Sequence, residues 1–306
     1  MKILIATQKP FSPAAVAGIT DIVREAGHDA AVLEKYPGEE ELCAAVADAD
    51  ALIIRSDKVT ARVLDASPRL KIVVRAGAGY DNVDLEAATA RGVVVMNTPG
   101  QNANAVAELA VALMIFMART QFTPATGSEI QGKRLGIQAF GNVGRLVGAK
   151  AKALGMEVMA IDPFIPAERI AEAGATPASS VEDLYARCDY VSLHIPATPQ
   201  TIRSIGYDLL VRMPKGGVLV NTARKEVIDE DGLFHALQER PDLRYVADVA
   251  PDNYAALREA FGLRVFATPK KMGAQTGEAN LNAGLAAARQ ICDFFATGNT
   301  RFQVNK

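Results

Sequence analysis

Residues 134–162 read RLGIQAFGNVGRLVGAKAKALGMEVMAID, and this stretch decides the fold that we expect. It predicts an apolar strand, a turn that contains Gly141 and Gly144, a helix, and a second strand that ends at Asp162. This order builds a dinucleotide site, because small turn residues let the chain approach a pyrophosphate and the first N–H groups of the helix bind it. The stretch departs from the G-x-G-x-x-G pattern at its first glycine position, which holds Ala139.

The acid at the end of the second strand indicates which dinucleotide is bound. Asp162 follows Gly144 by 18 residues, near the spacing at which a carboxylate hydrogen-bonds the adenosine ribose. A carboxylate repels a 2′-phosphate, and neither Pro163 nor Phe164 supplies a cation to compensate. The sequence therefore favours NAD over NADP. The alternative role for Asp162 is a cap for a helix that begins near Pro166.

The rest of the chain alternates strand-like and helical segments. Five β-rich runs, KILIA, AAVLE, ALIIR, KIVVR and GVVVM, occupy the first hundred residues, with helical stretches such as 14–26 and 39–47 between them. A second alternation begins at Leu135 and continues through EVMAI, YVSLHI, GVLVN, RYVAD and VFAT. Repeated βα units form parallel sheets that helices cover on both faces. We therefore predict an α/β fold with two doubly wound parallel-sheet domains.

The domain boundaries follow from a break and a tail. Pro99 and Gly100 precede a long apolar helix, whose run 109–118 is about half of what a membrane span needs. An Ala-rich helical tail, 276–296, follows the last strand, and we expect it to return to the first domain. We predict a discontinuous substrate domain of residues 1–98 plus 277–306, and a nucleotide-binding domain of residues 99–276.

Composition excludes several classes of partner. The 306 residues contain 33 Lys plus Arg against 35 Asp plus Glu, a formal net charge of −2, so no charge excess favours nucleic acid or an anionic membrane. Three scattered cysteines without metal-type spacing favour a reducing cytoplasm and predict no metal site. The N-terminal apolar run is too short for a signal peptide. We expect a cytoplasmic protein that acts on a small soluble molecule.

A second set of candidate functional residues follows the predicted strand in MPKGGVLVNTARKEVID (213–229). Ligands of open α/β sheets bind outside the carboxyl ends of strands, which is where Arg224 falls. Its planar guanidinium can pair both oxygens of a carboxylate or polarise a carbonyl. The alternative is a surface arginine in a loop that leads into a helix.

The chain resembles the D-isomer-specific 2-hydroxyacid dehydrogenase family over nearly its whole length. The most specific segments occur in the family's order: RAGAGYDNVDL (75–85), VVMNTPGQNANAVAEL (94–109), LHIPATPQT (193–201), MPKGGVLVNTARKEVID (213–229) and GAQTGEAN (273–280). The resemblance implies a Rossmann NAD-binding domain, a flavodoxin-like substrate domain, and a homodimer made largely through the cofactor domains. It also implies oxidation of a 2-hydroxyacid, with 3-phospho-D-glycerate, 3-phosphooxypyruvate and serine biosynthesis as the expected substrate, product and pathway.

The family's functional positions carry over to named residues of this sequence. Positions that hold substrate carboxylate or phosphate match Arg55, Ser56, Gly77, Ala78, Gly79 and Asn102. Positions around NAD match Gly141, Asn142, Val143, Gly144, Asp162, His194, Pro196, Thr198, Ala223, Asp248 and Gly273. The resemblance assigns the nicotinamide carboxamide to Asp248 and the substrate to Arg224. Solvated strand-end charges remain the alternative for Arg55 and Arg75, and a packed side chain is the alternative for His194.

The sequence departs from the family where most members carry a catalytic histidine held by a glutamate. Thr268 and Pro269 lead into Lys270, Lys271, Met272 and Gly273, and no glutamate follows Asp248 and Val249 at the expected place. Counting from Pro269 puts Lys270 at the histidine position, whereas counting back from Gly273 puts Lys271 there. We favour Lys271 as the proton donor and acceptor, because the segment after Gly273 matches the family well. The alternative is that both lysines are surface charges.

Two alternative functions remain compatible with the sequence. The substrate could be a different 2-hydroxyacid, with hydroxypyruvate or glyoxylate reduced in the opposite direction, or the chain could be a non-catalytic NAD-sensing protein. The connection between Arg119 and Gly132 is shorter than in many relatives, so the subunit contact is expected to differ. The sequence printed has no C-terminal regulatory domain of the kind some relatives add, so feedback by serine is not expected.

Overall fold

Two parallel β-sheets organise the chain in a computed structural model that describes residues 1–305. Unit 1 comprises Met1–Asn102 together with residues 275–305, and unit 2 comprises Ala103–Ala274. The strands are β1 (Lys2–Thr7), β2 (Asp29–Glu34), β3 (Ala51–Ile54), β4 (Ile72–Arg75), β5 (Val94–Asn97), β6 (Arg134–Gln138), β7 (Glu157–Ile161), β8 (Thr176–Pro177), β9 (Tyr190–Leu193), β10 (Val218–Asn221), β11 (Arg244–Ala247) and β12 (Val265–Ala267). The helices are α1 (Pro13–Glu25), α2 (Glu39–Val46), α3 (Ala61–Asp65), α4 (Leu85–Ala90), α5 (Ala103–Ala118), α6 (Asn142–Ala153), α7 (Ala167–Glu172), α8 (Val181–Arg187), α9 (Tyr207–Leu210), α10 (Glu230–Glu239), α11 (Tyr254–Phe261) and α12 (Gly277–Thr297).

Unit 1 is built on a five-stranded sheet in the order β2-β1-β3-β4-β5, with every pair parallel. This is the flavodoxin-like order. The four residues of β3 are fully buried and apolar, as expected for a central strand with helices on both faces. Helix α12 packs on α1, where a Cβ at Gly18 would lie 2.7 Å from Leu285 Cδ2 and one at Gly284 would lie 2.8 Å from Ile19 Cδ1. The small residues therefore let the two helices approach closely.

Unit 2 is built on a seven-stranded parallel sheet in the order β12-β11-β10-β9-β6-β7-β8. The chain runs outward from β6 in one direction and then continues from β9 in the other, which is the Rossmann order with one strand added. Helix α5 lies in this core, with Ala107, Ala110 and Met114 fully buried. The switch between β6 and β9 marks the place where sheets of this type bind ligands.

The predicted α/β fold with two doubly wound parallel sheets is confirmed. The sequence did not predict β8, because its two residues include Pro177, and a proline is tolerated only at the edge where this strand lies. Within residues 1–305, none of the helices combines the length and the apolar character that a bilayer crossing requires.

Candidate active site

The turn between β6 and α6 is shaped by its small residues. Ala139 occupies the left-handed region at φ 76°, and its N–H donates to the carbonyl of Ile161 at 2.9 Å. A Cβ at Gly144 would lie 2.3 Å from the carbonyl oxygen of Ala139, so only glycine lets α6 pack this closely on the turn. A Cβ at Gly141 would meet no atom within 4 Å. The turn is therefore closely packed at Gly144 and open at Gly141.

The N-terminus of α6 fits an anionic ligand such as a pyrophosphate. The N-cap residue is Gly141, which has no side chain to occupy the first N–H groups of the helix. The helix begins at Asn142 and Val143, so their N–H groups and the positive end of the helix dipole face the open space beside Gly141.

Asp162 connects the ends of β6 and β7. One carboxylate oxygen accepts from the N–H of Phe140 at 2.8 Å, and the other accepts from the N–H of Phe164 at 2.8 Å. The N-cap of the next helix, α7, is Pro166, so Asp162 does not cap that helix as its alternative role required. Each carboxylate oxygen keeps lone pairs for further donors such as ribose hydroxyls.

His194 follows β9 directly and lies beside β6. Its main-chain N–H donates to the carbonyl of Gln138 at 2.9 Å. The ring Nε2 lies 3.0 Å from the hydroxyl oxygen of Ser192. Although part of the residue is exposed, desolvation of the ring lowers the pKa of His194 to about 3. The imidazole is therefore neutral at physiological pH and presents no positive charge.

The loop after His194 is closed by Thr201. The N–H of Thr198 donates to the Thr201 hydroxyl at 2.8 Å, and that hydroxyl lies within hydrogen-bonding distance of the carbonyl of Pro196. Pro196 is exposed and Thr198 is half-buried, so this loop offers an accessible surface at the carboxyl end of β9.

The turn after β10 presents Arg224. The Asn221 side chain holds this turn, since its Nδ2 donates to the Arg224 carbonyl at 2.9 Å and its Oδ1 accepts from the Ala223 N–H at 3.0 Å. The Arg224 guanidinium makes one hydrogen bond in the described chain, to the Ala223 carbonyl at 3.0 Å, and no ion pair. The Thr222 hydroxyl is buried and has no partner among residues 1–305, which fits a bound ligand at this strand end.

The next strand, β11, is followed by Asp248, whose side chain is buried. Its Oδ1 accepts from the N–H of Met272 at 2.8 Å, and its Oδ2 accepts from the N–H of Gly273 at 2.8 Å. The loop that contains these donors carries Lys270 and Lys271, both with exposed side chains. The Asp252 carboxylate, the possible substitute for a glutamate partner, pairs instead with Lys225.

In unit 1, Arg55 follows β3 and its guanidinium is held by neutral groups. It donates to the carbonyls of Lys9 and Pro10 at 3.0 and 3.1 Å, donates to Asn280 Oδ1, and lies 5.1 Å from the centre of the Phe11 ring. Burial lowers the pKa of Arg55, although arginine stays protonated at any pH of interest. Arg55 is therefore a fixed cation at the carboxyl end of the sheet rather than a loosely solvated one.

The neighbouring turns of unit 1 contain the other predicted substrate residues. Gly77 has φ 150°, and a Cβ there would lie 1.5 Å from an Arg75 guanidinium nitrogen. Arg75 Nε donates to the Arg55 carbonyl at 2.9 Å, so this arginine braces the Arg55 turn. The Ala78 carbonyl accepts from Asn97 Nδ2 at 2.6 Å. Ser56 and Ala78 are exposed, and Gly79 and Asn102 are half-buried.

Sequence reasoning missed the residues that hold these turns. The buried Asp57 accepts from the N–H groups of Gln8 and Arg55 and from the Tyr36 hydroxyl, and Asn82 donates to the carbonyl of Asp57 at 2.6 Å. Asn280 belongs to the quoted segment 273–280, so its position was available as a signal even though its contact with Arg55 was not. In the part of the chain described, no group of three His, Cys, Asp or Glu side chains could hold a metal ion.

The chain is similar to several known proteins over most of its length. An NAD+-bound 3-phosphoglycerate dehydrogenase from Entamoeba histolytica is 47% identical, with a TM-score of 0.89, and the match covers 100% of this chain and 99% of that one. The D-3-phosphoglycerate dehydrogenases of Methanocaldococcus jannaschii and Mycobacterium leprae are 37% and 38% identical over 268 and 270 residues, and both matches cover 83% of this chain and 51% of the relative. The chain thus spans about half the length of these curated relatives.

A family model supplies the assignment. The model of the D-isomer specific 2-hydroxyacid dehydrogenase catalytic domain matches residues 6–305, which is nearly the whole chain. The glycine turn, the acid after β7 and the arginine after β10 lie in one Rossmann unit within this matched range. The chain belongs to the D-isomer specific 2-hydroxyacid dehydrogenase family.

Proposed function

We propose that the protein is an NAD-dependent dehydrogenase that oxidises 3-phospho-D-glycerate to 3-phosphooxypyruvate, the reaction class that begins serine biosynthesis. The observation that carries the proposal is Arg224, whose guanidinium pairs with no carboxylate of the described chain and stands at a strand end of the unit that holds the glycine turn. The 47% identity to a 3-phosphoglycerate dehydrogenase with bound NAD+ supports both the substrate and the cofactor.

The proposed cofactor residues belong to unit 2. The N–H groups of Asn142 and Val143 would bind the pyrophosphate beside Gly141 and Gly144, and the Asp162 carboxylate would accept from the adenosine ribose. The remaining proposed contacts line the adenine and nicotinamide sides: His194, Pro196, Thr198, Ala223, Asp248 and Gly273. The support is the open space at Gly141 and the lone pairs that remain on Asp162.

When bound, NAD supplies the hydride acceptor for the reaction. Arg224 would pair with the substrate carboxylate and fix the C2 carbon, since its planar fork matches two oxygens. Lys271 would accept the hydroxyl proton as the C2 hydride departs with its electron pair, leaving a C=O bond. Free lysine has a pKa near 10.4, so only a small fraction of such amines can accept a proton at neutral pH, whereas the protonated form is ready to donate in the reverse reaction.

The substrate phosphate is assigned to unit 1. The fixed cation of Arg55 and the turns with Ser56, Gly77, Ala78, Gly79 and Asn102 would hold the charged end of the substrate. One observation favours a second candidate, a dehydrogenase of an unphosphorylated 2-hydroxyacid. Arg55 already donates to two carbonyls and to Asn280, so a phosphate would have to share or displace these acceptors.

We further propose that the protein works as a cytoplasmic homodimer. Free thiols at Cys43, Cys188 and Cys292 are in keeping with a reducing compartment. The Phe122 side chain is 70% exposed and its ring contacts that of Phe116 at a centroid distance of 5.3 Å, which supports a contact surface on unit 2.

The role of Lys271 is tested with a matched pair of variants. Lys271→Ala should lower kcat by about a hundredfold, the lower end of the range for loss of a general acid or base. Lys270→Ala removes another exposed charge from the same loop and should leave kcat within about threefold of the native value, because the proposal assigns the proton transfer to Lys271. NADH formation at 340 nm gives kcat for each protein.

Cofactor affinity separates catalysis from misfolding in this pair. Both variants should bind NADH as the native protein does, measured by the fluorescence of the bound nicotinamide. Full turnover by Lys271→Ala would contradict the role of this lysine, and a large loss confined to Lys270→Ala would transfer the role to its neighbour.

A further inference from the structure

We infer that Asp248 is a positioning residue that holds the Lys270–Lys271 loop in place, so that it acts on the reaction through Lys271 rather than by direct contact alone. The inference rests on the proposed role of Lys271. Asp248 is 1% exposed and directly follows β11, a strand that is paired on both sides within the sheet of unit 2.

The hydrogen bonds of this carboxylate come from both ends of one short loop. The N–H groups of Met272 and Gly273 donate to its two different oxygens, each at 2.8 Å. On the other side of the lysines, the Thr268 hydroxyl lies 2.6 Å from the Asp248 carbonyl, 2.8 Å from the Lys270 carbonyl and 3.0 Å from Asp248 Oδ1. Asp248 therefore closes the loop on either side of the residue proposed to transfer the proton.

The local sequence is adapted to this contact. A Cβ at Gly273 would lie 2.9 Å from Asp248 Oδ2 and 3.3 Å from Val106 Cγ2, closer than side chains normally approach. Glycine at this position is thus required for the N–H of residue 273 to reach the carboxylate. The main chain around the two lysines is therefore fixed, although Lys270 and Lys271 are exposed residues.

A carboxylate is needed here, and an amide cannot replace it. The two N–H donors use two separate oxygens, so both must be acceptors. Asparagine has one oxygen and one NH2 group, and the NH2 would face a second N–H donor in a buried site. Losing one of these bonds and burying a donor against a donor should release the loop while changing the side-chain volume very little.

The test is a double-mutant cycle in the full chain. Asp248→Asn should lower kcat by about tenfold or more, because displacement of a catalytic group by an ångström is enough for losses of this size. In the Lys271→Ala background the same substitution should lower kcat by a much smaller factor than in the native background, because the part of its effect that acts through Lys271 is already lost. Amide hydrogen exchange of residues 268–273 should accelerate in Asp248→Asn, with the strands of unit 2 unchanged.

Three results would overturn parts of the account in distinguishable ways. Losses of kcat that multiply in the double variant contradict positioning through Lys271 but leave the proposed function intact. A fall in NADH affinity that matches the fall in kcat, with loop exchange unchanged, assigns Asp248 to cofactor contact alone. Near-native turnover of Lys271→Ala removes the proposed role of that lysine and the inference with it.

A second variant covers the case in which Asp248→Asn does not fold. Thr268→Val removes the hydroxyl on the other side of the loop and keeps the carboxylate intact. It should lower kcat by a much smaller factor in the Lys271→Ala background than in the native background, and equal losses in both backgrounds would contradict the inference.

Discussion

At the scale of single residues, Ala139 adopts a main-chain conformation that is unfavourable for an alanine. It stands where the dinucleotide pattern has its first glycine, and it adopts φ 76°, a region in which a Cβ clashes with the following carbonyl. The hydrogen bond from its main-chain N–H to the Ile161 carbonyl holds Ala139 in this conformation. The alanine therefore preserves the shape of the turn at the expense of stability.

Ala139→Gly should raise the free energy of unfolding by about 1 kcal/mol. The left-handed conformation costs an alanine about 1–2 kcal/mol, and the greater freedom of glycine in the unfolded chain returns part of this. Urea unfolding followed by circular dichroism measures the change. A loss of stability would mean that the packing of the Ala139 methyl outweighs the backbone strain.

Residue positions were predictable where they depend on strand ends. Arg224 and Asp162 could be assigned to the carboxyl edge of a sheet because Asp162 directly follows one apolar run and Arg224 follows another after three residues. The contact between Arg55 and Asn280 could not, since the two lie 225 positions apart and only the packing of α12 on unit 1 brings them together. The left-handed conformation of Ala139 could not be predicted either, because the sequence shows that alanine stands at the glycine position but does not give its φ angle.

At the scale of elements, the approach of α6 to β6 determines whether the nucleotide turn forms. Gly144 lies over the Ala139 carbonyl and Ile137, where a Cβ would be 2.3 Å and 3.0 Å from the nearest atoms. Gly141 lies one turn earlier with no such neighbour and a φ of −74°, which any residue can adopt. The two glycines of one motif therefore serve different purposes, packing and access.

Gly144→Ala and Gly141→Ala should separate these purposes. Gly144→Ala places a methyl against backbone and should destabilise the protein by roughly 2 kcal/mol, as overpacking does. Gly141→Ala should leave stability nearly unchanged but weaken NADH binding by about tenfold, because its methyl occupies the space proposed for the pyrophosphate. Thermal unfolding and NADH titration measure both effects, and a stable Gly144→Ala or a tightly binding Gly141→Ala would contradict the assignment.

Elements were predicted as far as their periodicity is strong. The long apolar helix was expected after Pro99 and Gly100, with its apolar run at 109–118, and it is observed as α5 (Ala103–Ala118). The C-terminal helix was expected over 276–296 and is observed as α12 (Gly277–Thr297). The hydrogen bonds of the Asp248 carboxylate with residues 272 and 273 could not be predicted, because their donors are main-chain N–H groups, which every residue except proline has.

At the scale of the whole molecule, the chain carries a net charge of −2 and has two α/β units, each built on a parallel sheet. Unit 1 has Arg55 directly after β3 and Arg75 at the end of β4, and unit 2 has Arg224 three residues after β10. The similarity to proteins named 3-phosphoglycerate dehydrogenase is the reason that we favour a phosphorylated 2-hydroxyacid as the substrate.

The most direct test is the initial rate of NADH formation by the native protein with 3-phospho-D-glycerate and with D-glycerate, which differ only in the phosphate. The account predicts NADH formation with 3-phospho-D-glycerate, a kcat/KM at least about tenfold lower for D-glycerate because one charged anchor is lost, and a much slower reaction with NADP. Equal kcat/KM for the two acids would contradict the assignment of the phosphate to Arg55. The absence of NADH formation with either acid would contradict the proposed oxidation itself.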